Sequence, residues 1–176
     1  VRMRPSTAAA MPEVSADFKH FVFTIRPGIF FADDPAFKGQ RRELVAADYV
    51  YAIKRFYDPA VETERLYLFE NARLLGLSEL RKKVLAARTP FPYDVEVDGL
   101  RTLDRYRFEV RLAEPSPRFA DNFAAPQNVP GMAREAVEAY AADLMAHPVG
   151  TGPYRLLQWR RSSRTVLERN PNYREV

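Results

Sequence analysis

His147-Pro148-Val149-Gly150-Thr151-Gly152-Pro153-Tyr154-Arg155-Leu156 is the stretch on which the fold turns, followed by Trp159 and by Val166-Leu167-Glu168-Arg169-Asn170-Pro171-Asn172-Tyr173. Two glycines flank a threonine and a proline follows. That pattern predicts a tight bend tolerant of positive φ, which Pro153 ends in extended backbone. Beyond it Tyr154, Leu156 and, after an irregular step, Trp159 fall on one apolar face of a strand. Residues 160–163 supply a polar turn and Thr165-Val166-Leu167 a returning strand, so the pair reads as an antiparallel hairpin ended by the turn chemistry of Asn170-Pro171-Asn172. The bend lacks the Lys-Ser/Thr tail of a phosphate loop and does not join a strand to a helix, which argues against phosphate binding.

Upstream of this stretch the periodicity changes from element to element. Residues 1–17 mix Pro, Ser and Ala without a period and are expected to form an irregular lead-in; residues 18–176 are read as one domain. Residues 18–26 alternate, with Phe21, Phe23 and Ile25 on one face and Val22 and Thr24 on the other, which predicts a strand turned by Pro27-Gly28. Asp33 and Asp34, beside Pro35, read as turn formers or helix caps, and Gln40-Arg41-Arg42 as solvated surface. Over residues 46–57 the spacing of Val50, Ile53, Phe56 and Tyr57 predicts a helix that Asp58-Pro59 stops. Leu44-Val45 offers no capping hydroxyl, so either Asp48 caps from within the first turn or the start is uncapped.

Two more helices are expected over residues 64–76 and 78–88, the second capped by Ser78. Residues 95–103 and 105–112 read as two strands, with Tyr106, Phe108, Val110 and Leu112 buried and Arg107, Glu109 and Arg111 solvated. Short helices at 115–123 and 133–142 flank a loop, residues 125–130, that is rich in proline. The fold class is therefore α+β: a mixed, largely antiparallel sheet with flanking helices.

The order of the motifs says more than any one of them. Pro148 to Tyr154, the strand with Trp159, the polar turn and Leu167 to Tyr173 together resemble the extracellular solute-binding proteins of peptide, dipeptide and nickel ABC importers. Phe23-Thr24-Ile25-Arg26-Pro27-Gly28-Ile29-Phe30-Phe31 is similar to that family's strand and turn before its first long helix. Ala47-Asp48-Tyr49-Val50-Tyr51 through Arg55-Phe56-Tyr57-Asp58-Pro59 resembles the helix and its stop. The resemblance implies part of the first lobe of a two-lobed periplasmic binding-protein fold, with the second lobe lying outside these residues. It implies capture of an oligopeptide, dipeptide or similar small solute and delivery to ABC permease subunits in the membrane, and a periplasmic or otherwise extracytoplasmic location. An export signal is expected in a part of the protein outside this chain.

The same resemblance places Arg65 and Tyr67, just after the Asp-Pro stop, and Gln127 and Asn128, in the proline-flanked loop, beside the ligand. Gly150 and Gly152 are expected to shape the bend, and Tyr154 and Trp159 to pack the sheet. Arg174 stands where the family commonly has Trp, which weakens the last packing contact. Ligand identity is not legible in these residues. Apolar surface meant for the second lobe would be exposed in this part alone and is expected to drive self-association.

Composition bounds the alternatives. The chain has 176 residues, enough for one sizeable core, with 27 basic against 23 acidic residues and a net charge of +4. There are no cysteines, which excludes disulfides, thiolate metal sites and a thiol nucleophile. No apolar run approaches the roughly 20 residues that span a bilayer, so a membrane-spanning segment is not expected. The two histidines, His20 and His147, have no Asp or Ser at a diagnostic spacing, and neither Gly-x-Ser-x-Gly nor His-Glu-x-x-His occurs; no enzyme activity, metal or cofactor is expected. The competing class is a nucleic-acid-binding module built on hairpin 154–169, where Arg155, Arg160, Arg161, Arg164 and Arg169 lie among Tyr154 and Trp159. The modest net charge, and a strand that buries its aromatics while solvating its arginines, favour no nucleic-acid partner.

Overall fold

Alternation of Phe21 and Phe23 with Val22 and Thr24 puts two phenyl rings on one side of a strand and decides which face turns inward. The computed structural model describes residues 4–125, 128–141 and 143–174. In chain order its elements are β1 (Glu13–Val14), β2 (His20–Thr24), α1 (Ala46–Tyr57), α2 (Tyr67–Glu70), α3 (Leu77–Ala87), β3 (Leu100–Thr102), β4 (Arg107–Arg111), α4 (Arg134–Ala139), β5 (Tyr154–Arg160) and β6 (Arg164–Arg169), with 3-10 turns at Pro35–Phe37 and Phe119–Ala124. They gather into two compact units, one of Val1–Ile25 with Val45–Pro130 and one of Arg26–Leu44 with Gly131–Val176.

The first unit is a four-stranded antiparallel sheet in the order β1-β2-β4-β3. Phe21 lies opposite Val110 and Phe23 opposite Phe108, so the buried residues of both strands share a face. Phe23 stacks on Phe108 at 5.0 Å, and Phe21 meets Phe119 at 5.1 Å. Tyr49 of α1 stacks on Phe108 at 5.5 Å from the helix side. Each of these rings removes on the order of 150–250 Å² from water, which makes this cluster the core of the unit.

Helix α1 spans the residues its periodicity predicts. The choice left open at its start resolves in favour of Asp48, whose Oδ2 accepts from the backbone N–H of Val45 at 2.8 Å. Elsewhere the sheet claims backbone from segments that read as something else. Residues 8–14 are no irregular lead-in: β1 pairs with β2, and Ala8 bridges Ile25. Both residues of β1 are exposed, so this edge strand carries no apolar alternation to read.

The helix predicted over 64–76 survives only as α2. Arg73 adopts φ +52°, Leu74 bridges Leu112, and Leu75 donates to the carbonyl of Arg111. Three residues thus leave the helix to extend the sheet. Ser78 does not cap α3 either; the cap position is Gly76, in the left-handed region at φ +83°, with no side-chain hydrogen bond. Gly99 lies against this corner, donating to Leu75 O at 2.9 Å, and a Cβ on it would collide with the backbone N and O of Leu75.

The second unit packs Ile29, Phe31, Phe37 and Leu44 with Ala133, Ala136 and Val137 of the α4 region, all buried. Asp34 caps the turn at Pro35–Phe37 through Ala36 N at 2.9 Å, the capping role its sequence context predicts. Arg42 pairs with Glu135 of α4 at 2.5 Å.

In this unit β5 and β6 form a hairpin sheet of their own. The irregular step is a bulge at Leu157, between the Leu156 and Gln158 pairings. It keeps Trp159 on the face of Tyr154, Leu156 and Leu167. That face points outward. Tyr154 is 64% and Trp159 37% exposed, whereas the Arg155–Glu168 ion pair, at 2.7 Å, lies on the more covered face. The expectation that Tyr154 and Trp159 pack the sheet is corrected accordingly: two paired strands offer no third layer, and nothing among the described residues covers their apolar side.

The bend before β5 also differs from expectation. Neither Gly150 nor Gly152 lies in the left-handed region, and a Cβ on Gly150 would meet nothing within 4 Å. Hydrogen bonds hold the bend instead. Ala32 N donates to Gly150 O at 2.8 Å, and Asn170, 1% exposed, donates Nδ2 to Gly152 O and its backbone N to Pro153 O, both at 2.8 Å.

Urea denaturation separates these roles. Gly150→Ala is expected to change stability by no more than about 0.5 kcal/mol. Asn170→Ala, which leaves buried carbonyls unpaired, is expected to cost about 1–3 kcal/mol. Gly99→Ala is expected to cost about 3 kcal/mol, because backbone rather than a flexible side chain must move.

Candidate ligand-binding site

The end of α1 is clamped from several directions, and the clamp positions the segment that leads to Arg65. Asp58 Oδ1 accepts from Ala60 N at 2.9 Å and Oδ2 from the Tyr93 hydroxyl at 2.6 Å. Lys54, buried on the same helix, donates Nζ to the carbonyls of Tyr93 and Val95, each at 2.7 Å. Arg81 of α3 donates to Tyr57 O at 3.0 Å. A buried ammonium is tolerated only with such partners, so Lys54 ties the 93–95 loop to α1 at a defined place. Periodicity had no means of marking Lys54 or Tyr93, since both partners of Lys54 are backbone atoms some forty residues on.

From this anchor the chain runs to Arg65 and α2. Thr63 Oγ1 accepts from Arg65 N at 3.1 Å. Phe69 is fully buried and stacks on Phe56 at 5.2 Å, while Tyr67, two positions earlier and therefore on the opposite side of the turn, is 58% exposed. Arg65 Nη1 donates to Asn128 Oδ1 at 2.5 Å, and Asn128 N donates to Ala125 O at 2.8 Å. The structure therefore brings together Arg65 and Asn128, residues 63 positions apart, and sets Tyr67 outward beside Arg65 in sequence. Gln127, the remaining residue expected at the ligand, lies outside the described residues.

The polar groups elsewhere are engaged in packing. His20 Nε2 lies 2.8 Å from the buried Glu109 carboxylate, which Arg111 also meets at 3.1 Å. Glu109 was expected on a solvated face; it is 3% exposed because these neighbours lie over it. His147 stacks on Tyr140 at 4.5 Å, with Asp143 at 3.7 Å. Among the described residues no group of three or more His, Cys, Asp or Glu side chains could hold a metal ion, and no helix is long and apolar enough to cross a membrane.

Residues 2–175 match the family described as bacterial extracellular solute-binding proteins, family 5 middle region. The chain belongs to this family. It is 29% identical over 176 residues to the periplasmic oligopeptide-binding protein OppA of Salmonella typhimurium, covering 98% of this chain and 29% of OppA. It is 27% identical over 176 residues to the peptide transport periplasmic protein SapA of Haemophilus influenzae, covering 91% and 30%. The crystal structure of Haemophilus influenzae OppA in complex with RPPGFSPFR superposes with a TM-score of 0.73 at 22% identity, over 98% of this chain and 31% of that one. The substrate-binding domain of an oligopeptide ABC transporter from Bacillus anthracis gives 0.74 at 22% identity, over 97% and 30%. The chain thus spans less than a third of the length of these relatives. Its fold is the α+β fold of part of a two-lobed periplasmic binding protein.

In this member of the family 5 solute-binding proteins the clamp has a pH signature. Burial first, and then the hydrogen bond and charge of Asp58, push the Tyr93 phenol above its ordinary range. Burial, then Glu70 and Glu79, act in the same direction on Tyr57. A raised phenol pKa favours the neutral form in the fold. Its contribution is complete below the unfolded value of about 10 and is lost as pH rises beyond it towards the folded value. Stability is therefore expected to fall above about pH 10. Chemical denaturation at stepped alkaline pH should show a shallower fall in Tyr93→Phe, from a lower starting stability.

Proposed function

We propose that the protein carrying these residues is the solute-binding component of an ABC importer that captures peptides outside the cytoplasm and delivers them to its permease. The family match over residues 2–175 is the observation that carries this reading. Arg65, Tyr67, Asn128 and, by its place in the loop, Gln127 are the groups proposed to meet the ligand. Arg65 and Asn128 join the segment after α1 to the 125–130 loop at a place where polar and aromatic side chains are available together. Affinity in such a receptor comes from enclosure of the solute and a few placed polar groups, with no covalent step. Gly150, Gly152, Tyr154 and Trp159 have structural roles in the bend and hairpin.

Calorimetric titration with a di- to pentapeptide library tests this, on residues 1–176 and on the whole polypeptide that contains them. Saturable binding by the whole polypeptide, absent or weaker in residues 1–176, is the expected result. Failure of the whole polypeptide to bind any peptide would sink the assignment.

One observation favours a second reading. Trp159 is partly exposed with the Arg161 guanidinium 5.8 Å from its ring, and Arg160 lies directly opposite Arg164 across the hairpin, so cations and an aromatic ring are displayed together. Single-stranded nucleic acid would use such groups for phosphate contact and stacking. The sole tryptophan reports on it directly. Under the peptide reading its fluorescence stays unchanged on addition of an oligonucleotide; a quench that disappears with rising salt would support the nucleic-acid reading instead.

A further inference from the structure

Arg65 is half-buried, and the side-chain partner it has among the described residues is neutral. The chain treats its other partly covered arginines differently. Arg42 meets Glu135 at 2.5 Å and Arg155 meets Glu168 at 2.7 Å, each a guanidinium matched to a carboxylate. Arg81 spends its charge on the carbonyl of Tyr57 at the end of α1, where the helix dipole is negative. Arg65 has neither form of compensation: no carboxylate lies within ion-pair distance among the described residues, and it precedes α2 rather than following a helix.

The geometry of its one contact adds direction. Nη1 donates to Asn128 Oδ1, and Asn128 is itself held by its backbone N–H to Ala125 O at 2.8 Å. An amide oxygen on Nη1 fixes the plane of the guanidinium while leaving the Nε–Nη2 edge uncommitted. That edge presents two parallel N–H donors, the arrangement that takes a carboxylate in two hydrogen bonds. Tyr67, at the head of α2, adds an exposed aromatic surface next to it in sequence.

We infer that Arg65 reads a carboxylate of the bound solute, with Asn128 as the residue that positions it. This rests on the peptide-binding reading and narrows its ligand class: the preferred peptides carry an acidic side chain or a free C-terminal carboxylate at this contact. Partial burial makes the ion pair stronger than an exposed one, and the same burial penalises a neutral ligand that leaves the donors unpaired.

The test uses the whole polypeptide that contains residues 1–176 and four pools of alanine-based tri- to pentapeptides. Each peptide carries one Glu, or one Gln in its place, scanned through every position, with a free or an amidated C-terminus. Titration of each pool gives the dependence on each source of carboxylate separately. The expected result is a loss of about tenfold or more in affinity when either the Glu or the free C-terminus is removed. That difference is expected to vanish in Arg65→Gln, to persist in part in Arg65→Lys, and to shrink in Asn128→Ala. If all pools bind alike, or if the preference survives in Arg65→Gln, the inference fails while peptide binding stands. If Arg65→Gln lowers the melting temperature and leaves selectivity untouched, Arg65 is a loop latch and the inference fails in the same way. If no pool binds the unmodified polypeptide, the peptide reading fails, and this inference with it.

Discussion

The pairing of β2 with β4, with Phe23 opposite Phe108 and Phe21 opposite Val110, is the constraint on which the first unit depends. Side chains alternate along a strand, so a slip of one residue would turn both phenylalanines out and bring the faces of His20 and Glu109 inward. The phenyl rings of Phe21, Phe23, Phe108, Phe119 and Phe123 make an apolar surface against which Tyr49 of α1 lies. With α1 seated there, its last turn is placed, and with it Lys54, Asp58 and the loop they bind. Arg65 and Asn128 owe their meeting to this succession of placements.

Buried polar groups do the locating in the places where hydrophobic packing alone is too permissive. Apolar contact does not distinguish well between nearby arrangements of similar volume. Lys54 between two carbonyls, Asp58 between Tyr93 and Ala60, and Glu109 under His20 and Arg111 each require particular partners at hydrogen-bond distance. In the second unit Asn170 acts likewise, tying the bend at Gly152-Pro153 to the turn after β6. These contacts give geometric definition to segments that function requires to be placed well.

Much of the architecture was legible from local pattern. The span of α1, its Asp-Pro stop, the cap by Asp34 and the hairpin with its irregular step all follow from periodicity, proline chemistry and turn propensity. The motif order was enough to indicate the family, because the motifs recur in a fixed succession along almost the whole chain. The departures from local pattern share a physical cause. Residues 8–14 and 73–75 are recruited by backbone pairing to a sheet, and backbone pairing makes no demand on side-chain pattern. Gly150 and Gly152 suggested a left-handed bend, yet the requirement for glycine falls on Gly99, whose neighbour Leu75 is distant in sequence and close in space.

For the candidate site the division is similar. Sequence resemblance nominated Arg65, Tyr67 and Asn128 separately, from their places after the helix stop and in the proline-flanked loop. The direct hydrogen bond between Arg65 and Asn128, and the absence of a carboxylate beside Arg65 among the described residues, became visible only in three dimensions. By itself the sequence determined the class of fold, the family and the positions of its principal helix and hairpin, since these depend on interactions within a few residues. Tertiary structure decided which glycine is indispensable, which face of the hairpin is covered and which charges are left for a ligand, because each depends on what distant segments bring to the same place.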